Sequence, residues 1–372
     1  MSSAGGKTAT ERSSRSETSN TERMSEATPS NTATDLRHHG DVDAEPGLQD
    51  FAVNVRGTAP PAWLRERLVH AVDRLGTYPS AADDRRAREA VGERHGRDPG
   101  EVLVLNGAAE GFALLPALRP RLAALLHPSF TEPEVSLRDA DVPVHHVFDM
   151  AVPDDADLVV VGNPNNPTSE LRPAAEIARM ARPGRVLVVD EAFMDAVPGE
   201  RESLASADLP GLVVLRSLTK TWALPGLRAG YALGAPDLLR RLGRHRPHWP
   251  VGTLALEAVT ACAEPHAVAE AERAARELAA HREWLTAELN RLPGVHVLLP
   301  AAAPYLLLRV RDGERVRAGL RDRGIAVRRG DTFPGLTADH LRVAVREPAR
   351  CAGLLTALAE LTAGLTPEVL TT

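Results

Sequence analysis

Lysine is almost missing from this sequence: of 44 basic residues only Lys7 and Lys220 are lysine, and the other 42 are arginine. Arginine replaces lysine at most solvated positions, but it does not shed its proton to act as an amine nucleophile. Lys7 lies in a Ser/Thr/Glu/Asn-rich stretch, which leaves Lys220 as the one lysine of the folding part of the chain. Cysteine is equally scarce. Cys262 and Cys351 are the only two, which excludes a disulfide scaffold and suits a reducing compartment. Basic charge is not in excess, since the net charge is −6, so nothing argues for a nucleic-acid partner. No uninterrupted apolar run has the length of a membrane helix, and the N-terminus has no apolar signal core. The expectation is a soluble, cytoplasmic protein.

The chain has 372 residues, 43% of them hydrophobic, enough for a large domain and a smaller one. Residues 1–35 carry almost no large apolar groups and read as a disordered tail, with Met24 as an alternative start. Residues 36–55 form an N-terminal arm. A helical segment at 62–75 leads to a turn at Tyr78-Pro79. Beyond it, Val/Leu runs at 102–105, 122–126, 144–148, 158–161, 186–189, 212–215 and 230–233 are punctuated by Gly, Pro, Asn and Asp. Such runs suit strands buried on both faces of a mainly parallel sheet, and their alternation with helices makes residues 56–250 a large α/β domain. After Pro250, helices are expected at 254–262 and 266–292, then strands at 295–299, 305–310, 325–328 and 341–345, with helices at 314–323 and 350–362. Residues 251–372 therefore read as a long helix and a smaller α+β domain.

Four motifs follow strand-like runs, the place where ligands gather in an open α/β sheet. In Arg216-Ser217-Leu218-Thr219-Lys220, two hydroxyls and the lysine, with Arg228 shortly after, offer what a phosphate-bearing aldehyde requires. In Asp190-Glu191-Ala192-Phe193, the Asp190 carboxylate can hold a protonated pyridine nitrogen, while Glu191 reads as solvated or as a cap of the same turn. In Gly162-Asn163-Pro164-Asn165-Asn166-Pro167-Thr168, Asn166 can donate to a ring hydroxyl. In Asn106-Gly107-Ala108-Ala109-Glu110-Gly111, N–H groups at a helix start can cradle a phosphate. Taken singly, each also fits a plain turn or cap.

In this order and context the motifs resemble the fold-type-I superfamily of pyridoxal-phosphate-dependent aminotransferases, over residues 38–361. Tyr78-Pro79 and the Lys220 segment are similar to the histidinol-phosphate aminotransferase branch. His38-His39-Gly40, Asp50-Phe51-Ala52-Val53-Asn54, Phe193, and the segments Gly324–Arg329, Thr332–Leu336 and His340–Arg346 resemble most the threonine-phosphate decarboxylases of cobalamin biosynthesis. The resemblance implies that Lys220 holds pyridoxal 5'-phosphate as a Schiff base and that Asp190 meets its ring nitrogen. It also implies that Asn166 meets the ring hydroxyl and that Phe130 stacks on the ring. Ala108, Ala109, Ser217, Thr219 and Arg228 would carry the cofactor phosphate, and Tyr78 would reach that of a second subunit, which makes the protein a homodimer. Arg342 would grip a substrate carboxylate, with Arg328, His39 and Asn54 facing a substrate phosphate.

The sequence departs from the branch at three places: Phe193 stands where Tyr is usual, Gly40-Asp41 where Gly-Gly is usual, and Pro304 where Asn is common. Arg329 reads as solvated, and Arg346 is left open. The bond at the substrate Cα that stands perpendicular to the cofactor ring is the one that breaks, so the grip on the carboxylate decides between decarboxylation and transamination. On family resemblance a threonine-phosphate decarboxylase comes first, and a histidinol-phosphate-type aminotransferase is the alternative. Two other classes are a catalytically idle pyridoxal-phosphate-binding protein and a nucleotide-binding α/β enzyme, for which Gly107–Gly111 is a poor glycine-rich match. Histidines such as His145 and His146 lack metal-site spacing, and no metal is assigned.

Overall fold

Residues 36–364 are described by a computed structural model; the tail expected over 1–35 lies outside them. A short strand, β1 (Gln49–Asp50), precedes the helices α1 (Ala62–Val72) and α2 (Ala81–His95). The central sheet follows: β2 (Val102–Leu105), β3 (Ala123–Leu126), β4 (Val144–Val147), β5 (Leu158–Gly162), β6 (Val186–Asp190), β7 (Leu212–Ser217) and β8 (Gly230–Gly234). Its order is β2-β8-β7-β6-β5-β3-β4. Only β8 runs antiparallel to its neighbours, so the other six strands end along one edge.

The Val/Leu runs in the middle of the sheet form strands because both of their faces are covered, whereas the edge strand β4 is partly exposed. Leu187 and Val189 of β6, with Leu212 and Val214 of β7, point into one apolar core; Val188, Val213 and Leu215 point into another on the opposite face. Each such side chain contributes roughly 1.5–3 kcal/mol by burial, and period-two alternation serves both layers at once. Helices α3 (Ala108–Ala113), α4 (Glu132–Arg138) and α5 (Pro236–Gly243) connect the strands. Helix α2 was not anticipated as an element. It is held by a Ser80/Asp83 capping box and a left-handed Gly96, and it packs on α6 (Thr253–Ala263). Its buried face is Ala87, Val91, Gly92 and His95, too small and polar to show as an apolar stripe.

The chain passes to a third core along the 25-residue helix α7 (Pro265–Leu289). Ala267 and Ala271 pack with the large sheet, whereas Leu285 and Leu289 pack with the final strands. Those strands are β9 (Val295–Val297), β10 (Tyr305–Val310), β11 (Ile325–Ala326), β12 (Arg328–Arg329) and β13 (His340–Ala344), backed by α8 (Gly313–Asp322) and α9 (Pro348–Thr362). The single strand expected at 325–328 is divided at Val327. β11 pairs with β1 of the N-terminal arm, while β12 turns to join the antiparallel sheet β12-β13-β10-β9. Gln49 and Phe51 take the carbonyls of Gly324 and Ala326, and that competing partner causes the break. Among the described residues no helix is long and apolar enough to cross a membrane.

Candidate active site

Loops leaving the carboxyl ends of β2, β3, β5, β6 and β7 meet the segment 39–55 and the arginines of β12 and β13 around a cavity of about 480 Å³. Lys220, Asp190, Asn166 and Phe130 line it, as do Phe193, Ala108 and Ala109. Ser217, Thr219 and Arg228 reach it from the β7–β8 side, and Arg342, Arg328, His39 and Asn54 from the other. Tyr78 alone among the residues selected from sequence is elsewhere. It is 73% exposed and stacks on Trp249 with ring centroids 4.2 Å apart.

Strand register explains the convergence. Gly162 and Leu215 flank Asp190 in the parallel sheet, so the Asn166 turn, the Asp190 carboxylate and the Lys220 loop issue side by side. Asp190 Oδ1 accepts the Ala192 N–H at 3.0 Å. Ser217 Oγ and Thr219 Oγ1 lie 2.8 Å apart. Arg228 sits at φ 59° before β8, and its guanidinium closes over Gly107. A Cβ at Gly107 would stand 3.0 Å from Arg228 Nη2, and one at Gly230 would stand 2.9 Å from the Ala108 nitrogen. Glycine is needed at both places because the backbone closes tightly around an anion cradle: two hydroxyls, a guanidinium and first-turn N–H groups.

The charges are strained toward chemistry. Burial pushes the Lys220 ammonium down to about 8, reinforced by the Arg342 and Arg228 guanidinium groups and opposed by Asp190 and Asp41. Burial also pushes the Asp190 carboxyl up to about 6, moderated by the Ala192 N–H and by Lys220. Arg342 falls to about 9, first through burial and then through Arg328; Arg328 falls to about 10, first through burial, with Asp43 opposing. Arg342 donates to Asn166 Oδ1 and, at 2.7 Å, to the Ala52 carbonyl, leaving its buried Nε without a hydrogen bond. Asn54 Oδ1 is likewise buried and unpaired.

Several residues differ from expectation or were overlooked. Glu191 is neither solvated nor a turn cap. It is 1% exposed, accepts Ser203 Oγ and the Leu204 N–H at 2.6 Å each, and faces Arg216 at 3.2 Å. Arg216 itself is buried among Glu191, Asp195 and Glu200, anchoring the start of the Ser217–Lys220 loop. Arg346 holds the arm, donating to the carbonyls of Val55 at 2.9 Å and Val53 at 2.7 Å. Arg329, expected to be simply solvated, is part-buried and pairs with both carboxylate oxygens of Asp331. Glu132, which sequence reasoning passed over, meets His39 Nε2 at 2.5 Å inside the cavity wall; nothing in its local sequence marks it.

The profile of the class I and II aminotransferases matches residues 50–358. The chain belongs to that family. A histidinol-phosphate aminotransferase of Mycobacterium tuberculosis is 55% identical over 318 residues, covering 83% of this chain and 87% of that protein. A threonine-phosphate decarboxylase of Salmonella typhimurium is 32% identical over 348 residues, covering 86% and 93%. The solved histidinol-phosphate aminotransferase of Sinorhizobium meliloti, in complex with pyridoxal-5'-phosphate, shares the fold. Its TM-score is 0.72 at 18% identity, covering 84% of this chain and 90% of that one. Pyridoxal 5'-phosphate is the cofactor of this aminotransferase-family enzyme, and the donor set fits it. The hydroxyls of Ser217 and Thr219 with Arg228, the Asp190 carboxylate and a buried amine of lowered pKa that feels both charges line the same cavity.

Proposed function

We propose that this enzyme is an aminotransferase of the histidinol-phosphate type, exchanging an amino group between a small phosphorylated amine and a 2-oxo acid. The observation that carries this reading is the pair of buried arginines, Arg328 and Arg342, in the same cavity as the chain's one described lysine. Such a reaction must admit a phosphate ester in one half and a carboxylate in the other, and forked guanidinium donors take both. The identity to the mycobacterial relative, well above that to the decarboxylase, supports transfer over decarboxylation; the order of preference drawn from sequence motifs is thereby reversed.

When bound, the cofactor supplies an electron sink for charge developing at the substrate Cα. The chain supplies the rest. Lys220 would hold the cofactor aldehyde and then, once displaced, take the proton from Cα; with a pKa near 8, roughly a tenth of such amines are neutral at pH 7. Asp190 would keep a proton on the ring nitrogen, and Asn166 would hold the ring oxygen while itself fixed by Arg342. Ala108, Ala109, Ser217, Thr219 and Arg228 would bind the phosphate. Phe130 would cover one ring face, and Phe193, packed edge-on against Tyr305 at 5.0 Å, would shape the floor without offering a hydroxyl. Arg342 would orient a carboxylate, and Arg328, with His39 and Asn54, a substrate phosphate. Exposed Tyr78 suits a contact with a second copy's cofactor phosphate in a homodimer.

Decarboxylation of threonine phosphate is the second reading. Phe193 favours it, because the missing hydroxyl is a departure that the decarboxylase branch tolerates. The test gives the purified, cofactor-loaded protein histidinol phosphate with a 2-oxo acid acceptor and, separately, threonine phosphate. Amino acid formed from the acceptor supports our reading. Release of CO₂ from threonine phosphate without amino transfer would replace it by the second, and absence of any turnover with cofactor bound would leave a binding protein.

A further inference from the structure

Away from Lys220, three potential metal ligands converge that the order of residues along the chain keeps apart. His127 follows β3, Glu134 lies in α4, and His146 lies in β4, which runs parallel beside β3. The His127 N–H donates to the Val147 carbonyl at 2.7 Å, extending the β3–β4 ladder and drawing His127 alongside β4. The two imidazole rings lie 4.3 Å apart, and the ligand atoms of all three side chains lie within 4.8 Å of one another. His127 Nε2 is 3.3 Å from Glu134 Oε2, and His146 Nε2 is 2.8 Å from Glu134 Oε1.

Two of these atoms lack hydrogen-bond partners. His127 Nε2 and Glu134 Oε2 are buried without one, on side chains 0% and 1% exposed. The two atoms face each other at 3.3 Å without forming a hydrogen bond; polar groups so placed cost about 1–3 kcal/mol each, and a cation between them would offset that cost. We propose that His127, Glu134 and His146 bind a divalent cation of the zinc class, with water completing the shell on the partly exposed His146 side. Tetrahedral zinc with ligand bonds of about 2.0–2.2 Å sets neighbouring ligand atoms roughly 3.3 Å apart, the separation of His127 Nε2 from Glu134 Oε2. Two imidazoles, one carboxylate and an open position form a set zinc accepts. Arg138 Nε, from a half-exposed position, and His146 Nε2 meet Glu134 Oε1 at 2.7 and 2.8 Å, leaving Oε2 for the metal; His146 Nε2 would turn from that oxygen to the cation. Ser129 Oγ stands 3.5 Å from His127 Nδ1 and can steady that ring.

The site would act as a staple, since none of its ligands lines the Lys220 cavity. The loop between His127 and Glu134 carries Phe130 into that cavity and Glu132 to His39. A cation gripping both ends of the loop and β4 would fix the wall that those two residues form.

The test uses the full-length, cofactor-loaded protein, stripped with a chelator and titrated with zinc chloride by calorimetry, with metal content measured after gel filtration. One zinc per chain is expected, with a thermal midpoint that rises as zinc is added. His146→Gln removes the most exposed ligand and should leave the visible absorption of the bound cofactor unchanged. Zinc affinity should drop by about 10–100-fold or more, and the zinc-dependent rise in midpoint should vanish. Arg138→Ala, which removes a competing cation from Glu134 Oε1 and touches none of the ligand atoms, should bind zinc at least as well as the wild type. Failure to take up stoichiometric zinc, or equal uptake by the wild type and His146→Gln, would overturn the proposal and leave a hydrogen-bonded cluster.

Discussion

Arg328 and Arg342 face each other as register partners across the antiparallel pair β12–β13, both nearly buried at 2% and 5% exposure. Like charges so placed raise each other's free energy unless an anion lies between or beside them. Arg328 is steadied by the His38 carbonyl and Thr332 Oγ1, each at 2.6 Å, and by the Phe333 ring. Arg342 lies over the Tyr305 ring and retains a buried, unpaired Nε. Asp43 Oδ2, 3.5 Å from Arg328 Nη1, offsets part of that repulsion, and under the proposed function an anionic substrate would offset the rest.

Replacing either arginine by Met keeps bulk and removes charge. Loss of a charged hydrogen bond of about 2–3 kcal/mol should lower kcat/KM roughly 30- to 150-fold. Arg329→Met, at a surface pair with Asp331, should leave it unchanged. Steady-state kinetics on phosphorylated and unphosphorylated substrates would separate the two arginines, and equal effects of all three variants would contradict the assignment.

Lys220 has a folded-state pKa depressed to about 8 from its ordinary 10.5. Its reactive neutral amine therefore appears as pH rises through about 8. Uptake of pyridoxal phosphate by the cofactor-free protein should accelerate across that range and then level off. Because Arg342 is the next cause after burial, Arg342→Met should move the midpoint upward. Stopped-flow absorbance measures both, and a flat profile between pH 7 and 9 would refute the lowered pKa.

Asp190 has the opposite linkage, its carboxyl raised to about 6 from 3.8 by burial. The stability gained by holding its proton is complete below 3.8 and is lost as pH rises through about 6. Cofactor-free wild type should therefore lose stability relative to Asp190→Asn between those values, as read by denaturant midpoints. With cofactor bound, Asp190→Asn should cut activity by on the order of 10²–10³, the size of a lost preorganised charge contact.

Glu191, its carboxyl pushed up to about 7 by burial, meets Arg216 at 3.2 Å in a buried cluster that Asp195 and Glu200 complete. Glu191→Ala should destabilise the fold by roughly 1–3 kcal/mol, because it leaves the Ser203 hydroxyl and the buried Leu204 N–H without their acceptor. Glu191→Gln, which keeps the hydrogen-bonding shape, should cost less. Urea unfolding of both variants checks this, and equal, small losses would show that Asp195 and Glu200 suffice.

The convergence of the strand-end motifs on one cavity was readable from one chain because they lie just beyond Val/Leu runs whose strand character both sheet faces enforce. Those landmarks and the scarcity of lysine picked out Lys220, Asp190, Asn166 and Arg228, which line one cavity, while the role expected of each came from the family resemblance. Other features carried no such mark. Helix α2 hides a small, polar buried face, and Glu191 looks like any residue after a strand end until its partners close over it.

The sequence by itself determined the class of fold, the order of the motifs and the one lysine available to the cavity, since these depend on local periodicity and residue type. Tertiary structure alone decided what long-range pairing brings together. It split the strand at Val327 so that Arg328 faces Arg342, spent Arg346 on the carbonyls of the N-terminal arm, and gathered His127, Glu134 and His146. Those outcomes depend on which distant backbone offers a partner, a competition that spacing along one chain does not record.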